Sequence, residues 1–225
     1  DGTEMYVCGS TGDDVNQYTL STAWNISTAS YTRVFDVSSQ DTSPKGLFFK
    51  TDGTEMYVVG DQGNDINQYT LSTAWNISTA SYTRLFYTAT QAGNPEGGLF
   101  FKSDGTIMYQ VGSQSDGVYQ YALSTAWDIS TASYSKFVSV TVEDYDPKGL
   151  FFKSDGSKMY IVGALTDSVL QYNMGIPHTL TLPSSVENPP RIPLQFGSRF
   201  AYDFFTKDGG TTVTLISENQ SGTAF

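Results

Sequence analysis

Residues 16–33 read NQYTLSTAWNISTASYTR, and residues 67–84 read the same, letter for letter. A looser copy, YQYALSTAWDISTASYSK, occupies 119–136. Trp24, Trp75 and Trp127 mark the register, 51 and 52 residues apart. The Asp-Gly pairs at Asp1, Asp52, Asp104 and Asp155 keep the same step, as do the Gln-Tyr pairs at Gln17, Gln68, Gln120 and Gln171. Self-similarity at this period marks a repeat array rather than one or two ordinary domains. The array stops after about Asn173, and residues 176–225 match no unit.

Each unit reads as four short strands. The first is GLFFK, at 46–50, 98–102 and 149–153. An Asp-Gly turn follows, because a tight hairpin needs a residue at positive φ. The second strand is MYVCG, MYVVG, MYQVG or MYIVG, and the third resembles INQYTLS. The segment TAWNISTAS leads to a fourth strand such as YTRLFYT, and a loop carrying Pro44, Pro95 or Pro147 opens the next unit. In the second strand both faces are apolar, with Met56 and Val58 on one and Tyr57 and Val59 on the other. A sheet with one wet face would alternate apolar and polar residues. Small sheets covered on both faces by their neighbours describe β-propeller blades, the alternative being a β-sandwich of duplicated hairpins. The expected fold is therefore all-β. It comprises propeller-type repeats over 1–174, in units starting near 1, 46, 98 and 149, and a small β-rich module over 175–225. Because the first unit opens at its second strand, the chain is expected to be the C-terminal piece of a longer one.

Composition narrows the function. Twelve Lys and Arg against 23 Asp and Glu give a formal charge of −11, which repels nucleic-acid backbones. No apolar run approaches the roughly 20 residues of a membrane helix, so no membrane insertion is expected. A single cysteine excludes an internal disulfide, and a single histidine, His178, excludes a multi-histidine metal site.

The pattern P-x-G-L-F-F-K-x-D-G-T-x-M-Y-V-x-G, followed by Q-Y-x-L-S-T-A-W-[ND]-I-S-T-A, resembles the blades of lactonase-like, YVTN-type β-propellers. It is also similar to repeats of virion and tail-fibre proteins of marine and cyanobacterial phages. Residues 180–213 resemble the terminal module of phage fibres, carried here by Tyr202 to Thr212 with its Asp208-Gly209-Gly210-Thr211-Thr212 turn. Glu187 and Val213 stand where that module has Trp. The resemblance implies a non-enzymatic virion structural protein, in a tail fibre or appendage, acting in support or host attachment. A virion or extracellular location would follow. Its partners would be other virion proteins or further copies of itself, with a host-surface glycan as ligand. A bacterial extracellular adhesin or scaffold, and a lactonase-like or glycan-cleaving enzyme, are the alternatives.

Few residues invite a chemical role, and no cofactor or catalytic residue is expected. Asp13, Asp116 and Asp167 align in acidic loops, with Asn64 at the same position in the second unit. They are calcium candidates, because calcium is held by six to eight oxygens. An Asp or Asn that shapes its own turn is the blander account. Trp24, Trp75 and Trp127 could stack on sugars, or could anchor a long connection. Asn25, Asn76 and Asp128 occupy one position, and an Asn/Asp exchange there suggests a side-chain oxygen capping the next turn. Cys8 replaces a repeat valine and reads as a small strand residue. Paired carboxylates for glycoside hydrolysis are conceivable, but no spacing selects a pair.

Overall fold

The computed structural model describes residues 1–112 and 114–174, together with the backbone of two later strands at 201–206 and 213–219. The chain divides into two compact units, Asp1–Tyr172 and Asn173–Phe225. No helix among the described residues is long and apolar enough to cross a membrane.

The first unit is a series of small antiparallel sheets, as the repeats predict. Strands β1 (Glu4–Gly9), β2 (Asp14–Leu20) and β3 (Ala29–Asp36) form the first blade. Strands β4 (Pro44–Phe49), β5 (Glu55–Gly60), β6 (Asp65–Leu71) and β7 (Ala80–Tyr87) form the second, in that order. A four-residue helix, α1 (Ala89–Ala92), then precedes the third blade. This contains β8 (Pro95–Phe101), β9 (Ile107–Gly112), β10 (Gly117–Leu123) and β11 (Ala132–Ser139). The fourth holds β12 (Pro147–Phe152), β13 (Lys158–Gly163) and β14 (Ser168–Asn173).

The GLFF strands are innermost: β4 packs beside β8, and β8 beside β12. Backbone meets backbone there, since a Cβ on Gly46 would overlap the Gly97 carbonyl. Only glycine permits that approach. The outermost strands alternate with solvent, exposing Tyr82, Leu85 and Tyr87 on β7. The doubly covered second strand is the core of the array, and Met56, Tyr57, Val58 and Val59 are all fully buried. Met56 and Val58 pack with Tyr6, Phe35 and Tyr69 between blades 1 and 2. Tyr57 and Val59 pack with Phe101, Met108 and Tyr121 between blades 2 and 3.

Polar side chains join each blade to the next. Tyr6 donates its hydroxyl to the Trp75 carbonyl at 2.6 Å, and Tyr57 to that of Trp127 at 2.7 Å. The Gln17 side-chain oxygen accepts from the Ile77 amide, and that of Gln68 from the Ile129 amide, each at 3.3 Å. Arg33 reaches Asn76, and Arg84 pairs with Asp128. Asn25, Asn76 and Asp128 each accept from the backbone N–H two residues on, so the capping account holds at all three. In the second unit, β15 (Ala201–Thr206) pairs antiparallel with β16 (Val213–Asn219). The Asp-Gly-Gly-Thr-Thr segment between them and His178 lie outside the described residues.

Candidate functional site at the inner-strand rim

Each innermost strand opens with proline and a charged residue: Lys45 on β4, Glu96 on β8 and Lys148 on β12. Proline suits this place because the first residue of a strand need not donate to the ladder. A register shift follows it in all three strands. Since the strands are neighbours, their charges collect at one rim in the order plus, minus, plus. Lys148 Nζ lies 3.0 Å from Glu96 Oε2 and 2.6 Å from Asp146 Oδ1, whereas Lys45 turns to Asp61 at 3.5 Å. The Glu96 side chain is only 16% exposed, while that of Lys148 is 40% exposed. Burial opposes the charge of Lys148. The hydrogen bonds and charges of Asp146 and Glu96 together outweigh it and hold the amine above its usual range. The rim thus offers a sheltered carboxylate beside a cation that stays protonated at neutral pH.

The residues singled out from the sequence lie elsewhere. Asp13, Asp116 and Asp167 each adopt positive φ, as Asn64 does, in the hairpin turns between second and third strands. They sit one per blade. Among the described residues, no three of His, Cys, Asp and Glu gather as a metal site. Trp24, Trp75 and Trp127 also adopt positive φ, each against the glycine of its own blade's Asp-Gly turn. Trp127 stacks on Phe101 at 5.4 Å and Trp75 lies 5.6 Å from Phe49, both on the innermost strand of the same blade. Trp24 is 83% exposed against 39% for Trp75. Cys8 is half-buried, and burial pushes its thiol up, away from a reactive thiolate.

No protein-family model matches the chain, nor does any curated protein. Solved structures do. A candidate 6-phosphogluconolactonase from Bacteroides fragilis NCTC 9343 is 13% identical with a TM-score of 0.56, over 78% of this chain and 48% of that one. A protein from Lactobacillus plantarum is 17% identical with a TM-score of 0.56, over 77% and 48%. The periplasmic gluconolactonase of Pseudomonas aeruginosa is 14% identical with a TM-score of 0.51, over 78% and 48%. The fold is therefore that of lactonase-like β-propellers, and the chain spans about half the length of these structures.

These matches overturn two expectations. A non-enzymatic virion component in a tail fibre or appendage finds no counterpart, because the functions named among them are lactonases. The expectation of no enzyme falls with it. Scarce histidine does not exclude such chemistry, because opening a lactone calls for a base and a positive charge, and neither has to be imidazole.

Proposed function

We propose that this chain contributes blades to a lactonase-like propeller that opens the cyclic ester of a sugar acid at the rim bearing Glu96 and Lys148. One observation carries the reading: a sheltered carboxylate lies 3.0 Å from a lysine at the start of adjacent innermost strands. The Glu96 carboxylate would take a proton from water as its oxygen attacks the lactone carbonyl carbon. The Lys148 ammonium would face the negative charge that develops on the carbonyl oxygen. When the ring C–O bond breaks, that proton passes to the departing oxygen and leaves a hydroxy acid.

Proton release from δ-gluconolactone and from 6-phosphogluconolactone tests the proposal. Hydrolysis above the spontaneous rate is expected, falling by about 100-fold in Glu96→Gln, the size of effect expected of a general base. A rate equal to the spontaneous one, or unchanged by Glu96→Gln, refutes it.

A further inference from the structure

Two carboxylates are buried together between blades 1 and 2. Asp41 follows β3 and Asp65 begins β6, and both are almost wholly buried. They flank one glycine: the Gly63 amide donates to Asp41 Oδ2 at 2.9 Å, and a Cβ on Gly63 would press on Asp65 Oδ2. None of the ion pairs among the described residues includes either acid, and Lys45, close to Asp41 in sequence, pairs with Asp61 instead. Two buried negative charges without a cation are costly.

The other two blade interfaces avoid that cost. Between blades 3 and 4, Asp144 takes the place of Asp41, but Ser168 stands in for Asp65. There Thr166 donates both its hydroxyl, at 2.6 Å, and its amide, at 2.9 Å, to Asp144. Between blades 2 and 3, Ala92 and Gly117 occupy the two positions and both acids are gone.

A separate observation points to what answers the charge. Asn67, two residues along β6, is 1% exposed. Its Nδ2 donates to Asp65 Oδ1 at 2.6 Å, but its Oδ1 finds no donor among the described residues. Asn64 Oδ1, in the preceding turn, is buried without one as well. Nearby, the Tyr69 hydroxyl meets Gln40 Oε1 at 3.3 Å. Asp41 takes a backbone N–H at each oxygen, from Ser43 at 2.6 Å and Gly63 at 2.9 Å, but the two asparagine oxygens find no donor among the described residues. That chemistry rejects anions and favours a hard cation.

We propose that the interface between blades 1 and 2 binds a calcium ion through Asp41, Asp65 and the Asn67 side-chain oxygen. Calcium accepts six to eight oxygens in adaptable geometry, whereas magnesium demands a smaller, near-octahedral set. A dication would cancel both carboxylate charges and clamp Asp41 of one blade to Asp65 and Asn67 of the next. None of these ligands is Glu96 or Lys148, so the role is structural and its test independent of the hydrolytic reading.

The full chain, freed of metal with a chelator, is titrated with CaCl2 and separately with TbCl3, whose emission the Tyr69 ring can sensitise. Saturable terbium emission that calcium displaces is expected, with an unfolding temperature raised by several degrees in millimolar calcium. The double variant Asp65→Ser, Asn67→Leu copies Ser168 and Leu170 of blade 4. It should stay folded in chelator while losing terbium emission and the calcium-dependent rise. Absence of saturable binding at millimolar calcium, binding retained in the double variant, or an equal rise with NaCl at matched ionic strength would each overturn the proposal.

Discussion

The Tyr57 hydroxyl donates to the backbone carbonyl of Trp127, 2.7 Å away in the following blade. Burial first, and then the negative charges of Glu55 and Asp128, push this phenol far above its ordinary range, so it remains a donor at any working pH. Tyr57→Phe removes the donor and keeps the ring that packs on Phe101 at 4.5 Å. A loss of about 1–2 kcal/mol is expected, read as a lower denaturant midpoint at unchanged slope. Tyr6→Phe, at a more exposed interface, should cost less. An equal cost for the two would show that burial does not set the strength of the contact.

Gln110 is the reverse case. It is fully buried on β9, opposite Leu99 and Tyr119, and neither end of its amide has a partner among the described residues. The same position is Val58 in blade 2 and Ile161 in blade 4. Gln110→Val should therefore stabilise the protein by about 1–3 kcal/mol. Thermal and chemical denaturation both measure this. Destabilisation instead would mean that a polar partner fills the space beside the amide.

Gly53 and Gly156 share one backbone conformation, with φ of 73° and 69°. Among the described residues a Cβ on Gly156 meets nothing within 4 Å, whereas on Gly53 it would overlap the Trp75 indole. Gly156→Ala should cost about 1–2 kcal/mol for the left-handed backbone alone. Gly53→Ala adds displacement of the indole, for a total of about 3–4 kcal/mol. Equal unfolding free energies would show that Trp75 moves aside freely.

The Asp128 carboxyl is held below its usual range, chiefly by the Ser130 hydroxyl and also by Arg84. A depressed folded-state pKa contributes stability above the unfolded value near 4, and that contribution fades as pH falls through the folded one. Asn76 fills the same position in blade 2 and does not titrate. Asp128→Asn should thus lower stability at pH 7 and flatten its decline below about pH 4. Parallel pH–stability curves for the two proteins would contradict this.

The repeats made the blades, the Asp-Gly turns and the capping position legible, because each is a local demand met by the same letters several times. The rim was not legible. Lys45, Glu96 and Lys148 sit at one repeat position, but they change sign from unit to unit, so comparing copies makes them look like variable loop residues. What joins them is the lateral contact of β4, β8 and β12, which no local pattern expresses. Asp41 and Asp65 were hidden in the same way, since each reads as an ordinary turn acid until two blades close over it. The informative trace was the Pro-Lys/Glu-Gly run opening each innermost strand.

The side-chain contacts made with the tryptophan turns all point in one direction. Tyr6 and Arg33 donate to the Trp75–Ser78 turn while Gln17 accepts from it, and Tyr57, Arg84 and Gln68 make the matching contacts with the Trp127–Ser130 turn. Every unit of this kind therefore carries a plug at one end and its socket at the other. A copy inserted by gene duplication would find both partners waiting, with no new surface to evolve. The identity of 16–33 and 67–84 is what such an event would leave behind. An array wired in this way can gain a blade by recombination more readily than it can tolerate reversal or shuffling of the blades it has.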